Sequence, residues 1–346
     1  MRKNKRNILV TGGAGFIGTN LASHFAGQGH KITVLDNFIR SGTRENISWL
    51  KKMYPGVIVV EGDIRNFSTV KEVVKKKDTI YHLAAQVAVT TSVSNPSADF
   101  EINARGTFNI LEGIRQSGEK PLLIYSSTNK VYGGMENMMI VKKGNRYIYR
   151  DFPQGVAETY QLDFHSPYGC SKGAADQYVR DYYRIYGIPT VVFRQSCIYG
   201  PHQFGLEDQG WIAWFMIASL LGKPITIYGD GMQVRDVLFV DDLVRAFETA
   251  TEKIDEAKGK IYNVGGGPQN TLSIWTEFGP VLENLLGKNI HVKKSNWRPG
   301  DQKVYISNID KIARELGWRP KISAKEGLFH LFSWVKENKE MLARYF

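Results

Sequence analysis

The segment NILVTGGAGFIGTNLASHFAG, residues 7–27, constrains this chain more than any other. Asn7 to Val10 reads as a short apolar strand, and a helix follows with Phe16, Ile17, Leu21 and Phe25 turned inward. Between them Gly12, Gly15 and Gly18 carry the spacing GxxGxxG. Glycine at these places permits a tight turn, lets the backbone approach a pyrophosphate and lets helix pack closely on strand. A second strand, Lys31 to Leu35, ends in Asp36, 18 residues after Gly18. A carboxylate there accepts hydrogen bonds from adenosine ribose hydroxyls and repels a 2′-phosphate. NAD is expected, and NADP stays open as an alternative because Arg40 and Arg44 lie just beyond.

The pattern then repeats. Strands are expected at Val57–Glu61, Thr79–Leu83, Leu122–Ser126 and Thr190–Arg194, with helices from Ser68 or Thr69 to Lys76, around Ser97–Ser117, and through a segment centred on Tyr168. Such alternation means an α/β fold: a Rossmann-type, doubly wound parallel sheet covered on both faces, with ligands at the carboxyl ends of its strands. Asn37, Asp63, Ile64, Leu83, Ala84, Ala85, Asn103 and Ser126 are therefore expected along the cofactor, together with Gly12, Gly15, Phe16, Ile17, Gly18 and Asp36.

From Gly133 to Asp163 the periodicity disappears, which reads as a functional loop or a surface excursion. Beyond Tyr199 come a helix at Trp211–Leu221, a strand at Ile225–Tyr228, a helix at Asp241–Thr251 and a strand at Ile261–Val264. Two helices separated by NWRPGD, and a final one, fill the tail. The expected division is a dinucleotide-binding domain over 1–195, completed by 236–264, and a smaller C-terminal α/β substrate domain from 196–235 and 265–346.

Composition narrows the function class. No run of eighteen apolar residues exists, and the basic start leads straight into a strand, so a soluble cytoplasmic protein with no membrane partner is expected. Cys170 and Cys197 make neither a disulfide framework nor a metal cluster, and no metal site is expected. The formal charge of +11 reads mostly as solvated surface, with a minor part in attracting a polyphosphate ligand. RNP-like aromatics, zinc fingers and helix-turn-helix signatures are absent, so no nucleic-acid partner is expected.

The stretch DFHSPYGCSKGAADQYVR, residues 163–180, carries Tyr168 and Lys172 four apart. On a helix they share a face, with Cβ atoms roughly 5–6 Å apart. An ammonium beside a phenol favours phenolate and readies it to take an alcohol proton as hydride leaves the carbon.

In their order and spacing, VTGGAGFIG, GDI, HLAA, SSTNKVYG, SPYGCSK, RQSCIYGP and VRDVLFVDDL resemble the extended short-chain dehydrogenase/reductase family, within it the nucleotide-sugar epimerases and dehydratases. The resemblance spans Asn7 to about Trp334. It implies Thr128 as the hydroxyl that positions the reacting oxygen, Tyr168 as catalytic base, and Lys172 as the residue that lowers the tyrosine pKa and binds the nicotinamide ribose. The dehydratases' acid pair after that threonine is here Asn129 and Lys130, which disfavours elimination of water. That pair, the long insert and YGPHQFGLEDQGW resemble the branch of 2-epimerases acting on CDP-linked sugars of the paratose and tyvelose type. Epimerisation at C2 through a transient 2-keto sugar is thus implied. A UDP-sugar 4-epimerase, or a non-enzymatic nucleotide-binding protein of the same fold, is the alternative. The resemblance also implies Arg235 and Arg298 over the substrate diphosphate, Asn129, His165 and Gln195 near the sugar, and a homodimer built on the helices around 97–117 and 168–186.

Overall fold

The computed structural model describes residues 5–298 and 301–346. Its centre is a seven-stranded sheet in the order Lys260–Val264, Thr190–Gln195, Leu122–Thr128, Thr79–His82, Asn7–Thr11, Lys31–Asp36 and Ile58–Glu61. Every neighbouring pair is parallel. Chain order runs outward in both directions from Asn7–Thr11 and Thr79–His82, and at that reversal such sheets open a ligand crevice.

The inner strands are apolar on both faces because helices cover both. On one face the helices Phe16–Gly27, Thr43–Met53 and Val240–Glu252 bury Leu21, Phe25, Leu50 and Phe247 in a cluster with Ile8, Val10 and Trp318. On the other, Phe67–Val73, Gly106–Ser117 and Ser166–Tyr186 bury Val70, Ile110, Ile114 and Val179 against Leu9, Ile80 and Leu123.

One expected helix is broken. The span around 97–117 forms Pro96–Phe100, a π turn at Glu101–Arg105 and Gly106–Ser117. The π turn brings Asn103 into a buried side-chain network, the kind of local requirement that produces such bulges. The segment from Gly133 to Asp163 is not wholly irregular, for Ile140–Lys143 and Arg146–Tyr149 pair as an antiparallel hairpin. Its connecting pair is Gly144 and Asn145, with Gly144 at a φ of +59°. Four-residue strands are too short for alternation to reveal, which is why periodicity missed them. The hairpin is fastened to the C-terminal half by Tyr149 Oη donating to Val304 O (2.7 Å) and by Arg146 on Glu277 (3.1 Å).

That half is built on two small sheets. Val234–Phe239 pairs with Thr271–Ser273, Val304–Tyr305 and Cys197–Tyr199, and Ile225–Tyr228 pairs with Val292–Ser295. Trp211–Leu221, Phe278–Leu286 and Ala324–Glu337 close over them around Met216, Leu282 and Leu331. Asp310–Leu316 and a short last helix, Lys339–Ala343, complete the tail. Of the NWRPGD loop, Pro299 and Gly300 lie outside the described residues.

Candidate active site

A cleft of about 370 Å³ lies over the sheet's reversal. The glycine turn forms its floor. Gly12 holds a φ of +67°, and a Cβ there would stand 2.7 Å from Ala84 N; one on Gly18 would stand 2.3 Å from Gly12 O. No side chain fits at either place, so backbone N–H groups at the start of the Phe16–Gly27 helix stay open to an anion, a cradle suited to a pyrophosphate. Asp36 accepts from Ala14 N and from Phe38 N, both at 3.0 Å, and so braces the turn while facing the cleft. Asp63, beside it, is held down to about 2 by its hydrogen bonds with Arg65. Of the arginines weighed for a 2′-phosphate, Arg40 donates to Gln209 and Arg44 pairs with Glu61 at 3.1 Å in an exposed salt bridge. These residues fit NAD.

At the other end of the cleft stand Thr128, Tyr168 and Lys172. Thr128 ends its strand, and its Oγ1 accepts from Lys130 N at 3.2 Å. Tyr168 and Lys172 come from the first two turns of the Ser166–Tyr186 helix. Ser166 and Pro167 start it: the serine Oγ accepts from Gly169 N at 3.3 Å, and proline in the first turn loses no hydrogen bond. Ser166 holds a φ of +67°, unusual for a non-glycine and costly enough to need a surrounding that enforces it.

The electrostatics differ from the sequence expectation. Burial pushes the Tyr168 phenol up to about 12, against a hydrogen bond with Thr128 that lowers it. The Arg40 charge also lowers it. Lys172, only 3% exposed, turns its Nζ onto Ser126 O at 2.6 Å and over the Tyr125 ring at 4.3 Å. Burial lowers this amine to about 7, while Asp176 and Asp99 hold it up. The pair is therefore a neutral phenol and an amine poised near neutrality.

Of the expected cofactor residues, Gly12, Gly15, Phe16, Ile17, Gly18, Asp36, Asn37, Asp63, Ile64, Leu83, Ala84, Ala85, Ser126, Tyr168 and Lys172 line one cleft, with Thr128 and Gln195 beside them. Asn103 does not line it; it is buried, and its amide binds Asp99, Ser171 and Gln86 O, each at 3.1 Å. Asn129 and His165 flank the cleft in sequence without lining it, and His165 is exposed. Arg235 lies outside the lining, held by Asp301 at 2.7 Å. Arg298 covers the Tyr228 ring at 4.0 Å and donates to Glu207 O.

Sequence reasoning missed the roof. Asn20 donates to Pro201 O and Asn46 to His202 O, which pins the loop after Tyr199 above the glycine turn. From there Phe204, Gln209 and Gly210 reach the cleft, and Thr90 donates to Asp208 at 2.6 Å. The signal was the run GPHQFGLEDQGW, rich in glycine and polar residues and too aperiodic to assign. Lys130 was missed too: burial and Arg235 lower it to about 8, and its Nζ reaches Gln302 at 3.4 Å.

Among the described residues no helix is long and apolar enough to cross a membrane, and no cluster of His, Cys, Asp and Glu is arranged to hold a metal ion. Comparison with known proteins agrees with the cleft. Residues 8–265 match the model of the NAD dependent epimerase/dehydratase family. The chain is 45% identical to CDP-paratose 2-epimerase of Salmonella typhi, over 95% of this chain and 98% of that one. Among solved structures it resembles UDP-glucose 4-epimerase of Thermotoga maritima with UDP-glucose, at a TM-score of 0.83, 31% identity, and 96% and 99% of the two chains. It resembles equally DesIV, the dTDP-glucose 4,6-dehydratase of Streptomyces venezuelae with NAD bound, at a TM-score of 0.83, 30% identity, and 97% and 98% coverage. The chain belongs to the NAD dependent epimerase/dehydratase family, the extended short-chain dehydrogenase/reductases that act on nucleotide sugars.

Proposed function

We propose that this protein inverts C2 of a CDP-linked 3,6-dideoxyhexose of the paratose and tyvelose type. The observation that carries the reading is the likeness to the Salmonella 2-epimerase along almost the whole chain, with Asn129 and Lys130 where an eliminating enzyme needs acids. Bound NAD supplies a two-electron acceptor that takes the C2 hydrogen and gives it back. Thr128 positions the sugar O2, and Tyr168 takes its proton as the 2-keto sugar forms. The keto sugar then presents its other face, and Tyr168 returns the proton to O2 as the hydrogen comes back. Tyr168 enters the first half as the phenolate, which burial disfavours by raising it to about 12 and which the Thr128 hydrogen bond and the Arg40 charge favour, and returns the proton in the second half as the neutral phenol. No outside reductant is consumed.

Residues 196–235 and 265–346 form the nucleotide-sugar side, with Arg235 and Arg298 taking the diphosphate once Asp301 and Glu207 O release them. Asn129 and His165 approach the sugar from the ends of the Thr128 strand and the Tyr168 helix. We further place the enzyme in the cytoplasm as a homodimer. The two free cysteines suit that compartment, and the exposed Val93, Phe100, Phe108, Tyr178, Ile185 and Tyr186 give a second copy an apolar face to cover. A monomeric mass by light scattering would overturn the dimer.

The test of function is incubation of the protein with CDP-paratose or CDP-tyvelose, without added NADH, followed by NMR. Inversion at C2 with no solvent deuterium at that carbon is expected. The second reading, a 4-epimerase, draws on the likeness to the Thermotoga enzyme and would show as inversion at C4 of UDP-glucose. Stoichiometric NADH would overturn both.

A further inference from the structure

Asp301 and Gln302 are neighbours in sequence, and each holds a cation from a different part of the chain. Asp301 Oδ1 accepts from Arg235 Nη2 at 2.7 Å, and Gln302 Oε1 accepts from Lys130 Nζ at 3.4 Å. Gln302 is itself fixed, 5% exposed and donating from Nε2 to Gly133 O at 2.5 Å. Lys130 and Arg235 therefore converge on one short segment that offers a single carboxylate, and that carboxylate is committed to the arginine. Burial, and after it the charge of Arg235, lower Lys130 to about 8, so it is still an ammonium at pH 7.

An ammonium has three donors to place. Among the described residues that of Lys130 makes no salt bridge and finds one acceptor, a neutral amide oxygen near the outer limit of a hydrogen bond. A half-buried cation so weakly paired leaves the cluster with positive charge in excess, which an anionic ligand would balance.

Lys130 is also fixed against the reacting groups. Its N–H donates to Thr128 Oγ1 at 3.2 Å. The turn Asn129–Tyr132 lies so close to the Tyr168 helix that a Cβ on Gly169 would stand 3.2 Å from Lys130 O. With Thr128 on the C2 oxygen, the next carbon is C1, which carries the sugar-linked phosphate, whereas C4 lies across the ring. Work at C2 thus brings a phosphate beside the catalytic threonine, where Lys130 stands.

We propose that Lys130 binds the sugar-linked phosphate of the substrate and so fixes the pivot about which the keto sugar turns to present its second face. Arg235 takes the diphosphate from the substrate side, and Lys130 takes it from the side of Thr128. The proposal rests on the C2 reading of the reaction.

The experiment measures binding of CDP and of CMP to the NAD-loaded protein at pH 7 by titration calorimetry, in the parent, Lys130→Met and Lys130→Arg. CMP lacks the phosphate assigned to Lys130, so the two ligands separate that contact from a general disturbance of the site. In Lys130→Met the CDP affinity is expected to fall about 10–100-fold and the CMP affinity to change less than about threefold, with Lys130→Arg recovering most of the loss. Equal weakening of both ligands, or an unchanged CDP affinity, overturns the role of Lys130. Lys130→Gln removes the same charge and reads the same ratio should methionine disturb the packing around Gln302. The C2 reading fails separately: a parent that binds CDP yet inverts no sugar at C2 overturns it, while the ratio of CDP to CMP affinity still decides whether Lys130 holds the phosphate.

Discussion

Lys172 Nζ donates to the carbonyl oxygen of Ser126 at 2.6 Å, tying the catalytic helix to the end of the strand that carries Thr128. The three chemical groups thus share one rigid frame. A phenol and an amine on adjacent helix turns need a fixed distance to the sheet if the sugar is to meet the cofactor, and this bond sets it.

Tyr168→Phe removes the proton carrier and leaves the ring. Turnover of the nucleotide sugar should fall by about 10²–10⁴-fold, the range expected for loss of a general acid–base. NAD should still bind, since the glycine turn and Asp36 are untouched. Residual activity within a few-fold of the parent, measured by NMR at saturating substrate, would assign the base elsewhere.

Lys172→Met tests the pH linkage. The amine titrates near 7 in the folded chain against an ordinary value of 10.5, so the unfolded chain holds the proton more tightly. The cost of burying the ammonium is present in full below about pH 7 and is relieved as pH rises from 7 to 10.5. Between about pH 6.5 and about pH 9, chemical denaturation should show the parent gaining on the order of 2 kcal/mol relative to Lys172→Met. A difference that does not change with pH would show that the amine titrates normally.

The seven-stranded sheet was readable because its inner strands are apolar on both faces and alternate regularly with helical segments. The cofactor half of the cleft was readable for a related reason: Gly12, Gly18 and Asp36 act through backbone geometry tied to local sequence. What escaped depends on distant partners. Asn103 looks like an ordinary helix residue until Asp99 and Ser171, the latter 68 positions away, are folded onto it. Arg40 looks like a phosphate ligand until Gln209 arrives from 169 positions further along the chain. The hairpin at 140–149 is held by Val304 and Glu277, neither of which its own sequence announces.

Arg194 and Asp176 form a doubly hydrogen-bonded pair, 2% and 0% exposed, with Ser127 also donating to Asp176 at 2.8 Å. Arg194→Met alone should cost about 3–5 kcal/mol, because it strands a carboxylate inside the protein. Arg194→Met combined with Asp176→Leu should regain most of that loss in thermal denaturation. If the double variant is no better than the single one, the pair holds the fold through its hydrogen bonds to Ser127 and Tyr132 and not through charge balance.

Gln195 is the residue beside Thr128 in the parallel sheet, 6% exposed, and its Nε2 donates to no group among the described residues. A buried donor left unpaired costs about 1–3 kcal/mol, and it lines the cleft near the phenol. A sugar oxygen would satisfy it. Gln195→Leu removes the donor at similar volume, so the free protein should become equally or more stable to denaturant while kcat/KM on the nucleotide sugar drops about 10–100-fold. Loss of stability together with unchanged kinetics would make Gln195 a structural residue and remove it from the sugar site.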